Sequence, residues 1–389
     1  MPEAVKTVLM FWDGAADEPR PELEGATPLA LMRGGVCSQL AETGSTGWVD
    51  WSRLNFPMRS ASTLALMLGV QEGFAAKAMR GPLEAVTVQP SDRFGFAYRV
   101  NLITSDGRSI EQNRVTECTV QETEALLNSL RKHPASRGVT WSGIGPGLAV
   151  LMTEARSDEM VPGVPPEVGA SVSEEDESFP ACWFRASAEV LEGHVVNDVR
   201  VDLGDNPANR VWLWGGGEPS EIRRAFLGAP LRARMVTNSR MAAGLGLQCS
   251  MQVAELGDLW SDLVVPEVPD AQTWGEWLAE SELLAVYVES PGELGDYHGP
   301  MAKVKALDRM DIHVLKPMMD AVQASPEPVR VMLVSAPAEG RAEEIVQPVL
   351  LWGQGIERDK TTRWNEEACR GGSLQGVQPT RLVARLVGE

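Results

Sequence analysis

A chain of 389 residues with 43% hydrophobic and 23% charged side chains is long enough for two domains and has the composition of an ordinary water-soluble globular protein. Its 35 Lys and Arg stand against 54 Asp and Glu, and the resulting charge of −19 repels phosphate backbones and anionic bilayers, which argues against nucleic acid or a membrane as a partner. The opening apolar run is too short to span a bilayer and ends in an acid where a signal peptide would have a cleavage site, so the expected location is cytoplasmic.

In chain order, 5–12 (VKTVLMFW) reads as a buried strand, and 27–42 has the spacing of a helix entered through Thr-Pro. From 87 to 203 the texture changes. Segments such as FGFAYRVNLIT and ACWFRASAEV surround an acidic, proline-rich stretch, and the whole reads as an inserted α+β domain with a solvated loop at SVSEEDES. Further strands are expected at 210–214 (RVWLW), 283–289 (LLAVYVE), 329–334 (VRVMLV) and 347–352 (QPVLLW). The clearest helix covers 303–322, with Val304, Leu307, Ile312, Leu315 and Met318 on one face. Apolar runs alternating with amphipathic stretches predict an α/β protein with a mostly parallel sheet flanked by helices.

Five cysteines lie singly with no C-x-x-C pair, which gives neither a disulfide framework nor a zinc knuckle. Only four histidines are present, His133, His194, His298 and His313, and no two share a helical face. Twelve tryptophans are many for this length; Trp48, Trp51, Trp260, Trp274 and Trp277 fall in two short stretches and suit either a core or a protein interface.

Several motifs carry a resemblance. Asp13-Gly14 and Asp17 precede ELEGATPL; Ser60 opens SASTLALMLG; Arg80 opens RGPLEA; Arg99, Asn101 and Arg114 follow; and WNEEACRGGSL lies near the end, with Leu382 beyond. In order and spacing these are similar to the archaeal-type 2,3-bisphosphoglycerate-independent phosphoglycerate mutases of the alkaline phosphatase superfamily. The resemblance implies an alkaline-phosphatase-like core of 1–86 and 204–389 with an inserted, smaller α+β lid-like domain of 87–203. It also implies a serine, matched by Ser60, that carries a phosphoryl group between neighbouring hydroxyls beside two divalent metals, one ligand being matched by Asp13.

The remaining ligand positions depart from that pattern. Anchored on Ala302-Lys303-Val304, the expected Asp and His fall on Gly292 and Asp296; a shift of two residues brings in His298 but puts Leu294 in place of the acid. After VRVMLV the expected Asp-His pair falls on Ala336 and Pro337, and the last histidine has only Glu339, Glu343 and Glu344 nearby. Ser60 is followed by Ala61 where the family has Asp, which leaves a helix-start role as its other reading. Arg80, Arg99, Arg114 and Arg232 suit either an anion pocket, with Asn101 beside them, or internal ion pairs.

Three functions follow from these residues. The leading one is a mutase-like protein without its two-metal centre, acting as a non-catalytic binding or assembly protein with no cofactor and an unidentified protein partner. The second is an active phosphotransferase using Ser60 with manganese or zinc on Asp13, Asp296 and His298. The third is a metal-free sensor of a phosphorylated small molecule.

Overall fold

A computed structural model of the chain describes residues 5–52, 54–89, 94–154, 160–219, 222, 232–257, 268–289, 291–292, 295, 298–336 and 345–387. The chain divides into a core unit, Met1–Lys77 with Ile222–Glu389, and a second unit, Ala78–Glu221. Among the described residues no helix is long and apolar enough to cross a membrane.

The core unit is an α/β layer structure around one eight-stranded sheet. Its strands are β1 (Lys6–Asp13), β2 (Ser45–Val49), β8 (Ala233–Thr237), β9 (Gln252–Glu255), β10 (Leu283–Val288), β11 (Val329–Ala336), β12 (Gln347–Gly353) and β13 (Leu374–Val377), in the spatial order β13-β2-β12-β11-β1-β10-β8-β9. From β11 through β9 all neighbours are parallel, whereas β12 runs antiparallel to both β11 and β2. Strand β1 lies in the middle with all eight residues buried, because helices cover both faces of a parallel sheet and leave no solvent side for polar alternation.

Most predicted elements of this unit form within a residue or two of their expected ends. The helix expected at 27–42 is the exception. It divides into Pro28–Leu31 and Gly35–Thr43, since Gly34 adopts φ +53°, a left-handed conformation that stops one helix and starts the next. The helix expected at 303–322 runs from Pro300–Met310 through a π-helical turn at Asp311–Leu315 into Lys316–Ala324. That turn presents Asp311 to the amides of Val36 and Cys37, at 3.0 and 2.8 Å, where its carboxylate caps the helix Gly35–Thr43.

The second unit holds an antiparallel sheet of β3 (Phe96–Ser105), β4 (Ile110–Gln112), β5 (Val139–Gly145), β6 (Leu148–Thr153) and β7 (Arg210–Gly217), with β3 paired to β4, β6 and β7. Its boundaries lie outside the expected 87–203. The helix Arg80–Val88 packs on β3, and RVWLW pairs with β3 as part of β7, so both segments fold with the insertion. ACWFRASAEV forms the helix Phe179–Leu191, capped by Ser178 and started by Pro180, with Trp183, Ser187 and Leu191 four residues apart on its buried face. The acids at 174–177 are exposed, as a solvated loop requires.

Candidate functional site

The parallel strands of the core unit bring their C-terminal ends to one edge, where open α/β sheets place their ligands. Asp13 closes β1 there with 5% of its surface exposed, and its register partner on β11 is Ala336. The backbone then turns back on β11. Gly14 N–H donates to Ala336 O at 2.8 Å, and Ala16 N–H donates to Ser335 Oγ at 2.9 Å while that hydroxyl donates to Gln347 Oε1 at 2.8 Å. Ser335 is thereby occupied in closing the DGAA turn, and Ala336 offers only a methyl beside Asp13.

Ser60 is the first residue of the helix Ser60–Met67 and is buried. The helix start is tied by its neighbours: Arg59 N–H donates to Ser62 Oγ at 3.1 Å, and the Ser62 and Thr63 hydroxyls donate to Arg59 O at 3.0 and 2.9 Å. Ser60 thus stands at the helix start, where Ser62 and Thr63 hydrogen-bond to the Arg59 backbone.

A cavity of 160 Å³ near this edge is lined by Asp17, Arg20, Gly292, Gly295 and Lys303 among others. Lys303 Nζ, buried with its stem against Gly295, donates to Asp17 Oδ2 at 2.9 Å and to Ala16 O at 3.3 Å, and Arg20 holds Asp17 Oδ1 at 2.6 Å. Burial would raise the Asp17 pKa, but Lys303 and Arg20 outweigh it and hold the carboxyl below its usual range. Glu366 shows the reverse balance. It accepts from Thr27 Oγ1 at 2.7 Å and Asp17 N–H at 2.9 Å, yet burial prevails and its pKa is raised.

Of the rearranged ligand set, Asp13 is buried, His298 is exposed to solvent, and Asp296 lies outside the described residues. Leu294, Pro337, Glu339, Glu343, Glu344 and Trp260 also lie outside them. Among the described residues no three His, Cys, Asp or Glu side chains are grouped as ligands for one ion.

In the second unit, Arg80, Arg99 and Asn101 come together. Arg80 opens its helix and Glu84 follows one turn later; Arg99 and Asn101 share one face of β3; and Trp214 stands opposite Arg99 on β7. The fully buried Glu84 carboxylate accepts from Arg99 Nη1 and, at 3.4 Å, from Arg80 Nη1. The Trp214 ring lies 5.2 Å from the Arg80 guanidinium and 5.8 Å from that of Arg99. Asn101 Oδ1 accepts from Trp214 Nε1 at 3.0 Å and Arg99 Nε at 3.4 Å, while its Nδ2 donates to Asn113 O at 3.0 Å. This helix start lies tight against the sheet: a Cβ on Gly81 would sit 2.4 Å from Ala97 O.

Two other expected members of the anion site are placed differently. Arg114 is half-buried, with Nη2 donating to Pro146 O at 3.4 Å. Arg232 precedes β8 at the opposite edge of the core sheet from Asp13, is 67% exposed at its side chain and faces Glu282 at 3.9 Å. A surface ion pair accounts for its placement.

Comparison with known proteins fits this architecture. No family model matches the chain. The 2,3-bisphosphoglycerate-independent phosphoglycerate mutase 2 of Methanothermobacter thermautotrophicus is 29% identical over 97% of this chain and 96% of its own length. The mutase of Methanosarcina acetivorans is 24% identical over 98% and 100%. Among solved structures, the PH0037 protein of Pyrococcus horikoshii superposes with a TM-score of 0.70 at 20% identity, covering 99% of this chain and 97% of that one. The cofactor-independent phosphoglycerate mutase of Thermoplasma acidophilum gives 0.52 at 19% identity, covering 98% and 100%.

In sequence the chain is similar to the archaeal 2,3-bisphosphoglycerate-independent phosphoglycerate mutases along nearly its whole length. Its fold is the alkaline-phosphatase-like α/β core of the cofactor-independent mutases. Three residues that organise the candidate sites were not singled out from sequence: Glu84, Trp214 and Lys303. Glu84 carried a readable signal, since it lies one helical turn after Arg80 in RGPLEA. Trp214 and Lys303 carried none, because their partners are distant along the chain.

Proposed function

We propose that this mutase-like protein has lost two-metal phosphoryl transfer and acts as a non-catalytic binding protein for a phosphorylated small acid. The observation that carries this reading is the pairing of Asp13 with Ala336 across β1 and β11, at a position where the resemblance calls for a metal ligand. Gly292 stands at a second such position, and the neighbouring cavity holds the Lys303 ammonium against Asp17. Two divalent cations need several converging oxygen or nitrogen donors, and a methyl, a glycine and an ammonium do not fit them. A serine hydroxyl becomes a good nucleophile only when a metal or a base lowers its pKa. Binding is supported by Arg80 and Arg99, whose guanidinium groups are held in fixed orientations by Glu84 and Trp214 and suit a phosphate or carboxylate.

The names of the relatives favour a second reading, an active mutase with a rearranged metal site. Turnover of phosphoglycerate with manganese, zinc or cobalt separates the two. We expect no rate above that of Ser60→Ala, no divalent ion retained through purification, and a measurable calorimetric heat when phosphoglycerate is added. Turnover abolished by Ser60→Ala, or tightly held divalent ions, would establish the active enzyme; absence of heat would remove the ligand class.

A further inference from the structure

A second cavity of the core unit, 670 Å³ in volume, is lined by Trp48, Trp51, Phe56, Asp50 and Arg370 among others. Its size is that of a pocket for a small organic molecule, and its aromatic walls suit a flat one. Those walls are pre-organised. Trp48 Nε1 donates to Gln375 Oε1 at 3.2 Å, and Gln375 Nε2 donates to the carbonyls of Arg370 and Gly372 at 2.8 and 2.6 Å, so one side chain ties the indole to the loop that carries the arginine. Asp359 Oδ2 ties the same loop to β2, accepting from Thr46 N–H at 2.7 Å and Ser373 N–H at 3.0 Å.

The hydrogen-bonding groups around this cavity are unequal. Its acid, Asp50, is engaged by Ser52, whose N–H and Oγ donate to Oδ1 at 3.0 and 2.6 Å. Its cation is unspent: among the described residues the Arg370 guanidinium makes no ion pair. A ligand for such a cavity brings acceptors, with a negative charge toward Arg370 and an apolar plane toward the rings. An adjoining cavity of 530 Å³ shares Ile345, Val346 and Arg370 and carries the acids Glu18, Glu24, Glu366 and Glu367, which keeps an anion on the tryptophan side.

We propose that this cavity is a binding site for a small planar aromatic carboxylate. Its lining as described shares no residue with the Arg80 and Arg99 cluster, so its test stands apart from that of phosphoglycerate binding.

The test uses the full chain labelled with 5-fluorotryptophan, each fluorine resonance assigned by a single Trp→Phe change. The probe is 1-naphthoate, with 1-naphthamide as its neutral counterpart. Naphthoate should move the Trp48 and Trp51 resonances and leave those of Trp274 and Trp364 in place. Arg370→Gln should weaken naphthoate about tenfold and leave naphthamide unchanged, as expected for loss of one charge-assisted hydrogen bond. Trp51→Phe, which removes part of the aromatic wall, should weaken both about fivefold. No movement at millimolar naphthoate, equal affinity of Arg370→Gln, or tighter binding of the amide than the acid would overturn the proposal.

Discussion

The C-terminal edge of the core sheet and the arginine cluster of the second unit respond differently to replacement of their side chains. At the sheet edge, Ala336 and Gly292 stand at expected ligand positions, yet β1 and β11 keep an unbroken parallel register along their whole length. Side chains projecting from strand ends into a cleft contribute little to sheet packing, so an acid can become a methyl there without disturbing the strands. In the second unit, Arg80, Glu84, Arg99, Asn101 and Trp214 are each at least nine-tenths buried and hydrogen-bonded or stacked on one another. Removing one member leaves another buried and poorly compensated, which is costly at low dielectric. Residues of this second kind persist for stability even where no ligand is bound, so affinity for a phosphorylated acid is the measurement that separates their two roles.

That contrast can be broken at several points. Glu84→Ala should have the largest effect, about 4 kcal/mol of lost stability in urea unfolding, because it leaves two buried guanidinium groups facing each other. A loss below about 1 kcal/mol would mean that the cluster is not held together by charge.

Lys303→Met should cost less, about 2 kcal/mol, since Arg20 remains on Asp17. Its signature is in the pH dependence. The Asp17 pKa is depressed below 3.8 in the folded state, so its contribution is complete above 3.8 and is lost as pH falls through the folded value. Glu366, raised above 4.5, works in the opposite sense: stability rises as pH falls from above its folded pKa to 4.5, where the unfolded chain also takes up the proton. Carbon-13 titration of the two carboxyls should therefore find Asp17 below and Glu366 above their ordinary values, and Lys303→Met should move Asp17 upward. An unchanged Asp17 titration in that variant would show that Lys303 does not govern it.

Trp214→Phe keeps a ring over the guanidinium groups but removes the donor to Asn101, with an expected loss of about 1 kcal/mol. The Arg99 Nε–H donates to the same oxygen, so its exchange with solvent should also quicken. Arg232→Ala should change stability by less than about 0.5 kcal/mol and leave phosphoglycerate binding untouched, as befits an exposed pair at the far edge of the sheet. Weakened binding in that variant would return Arg232 to the ligand site.

The strands of the core, the helix from Pro300 and the α/β class were legible in the residues themselves, because continuous apolar runs and helical spacing are local signals. The outward shift of both domain boundaries was not legible. RGPLEA and RVWLW look like any core helix and strand until β3 provides the surface on which they fold. The bonding of Ser62 and Thr63 at the helix start likewise follows from which hydroxyls reach the Arg59 backbone. Pairings such as Lys303 with Asp17 and Trp214 with Asn101 join residues 286 and 113 positions apart. Periodicity and spacing report on neighbours in the chain; charge compensation, stacking and burial depend on neighbours in space, and only the folded chain selects those.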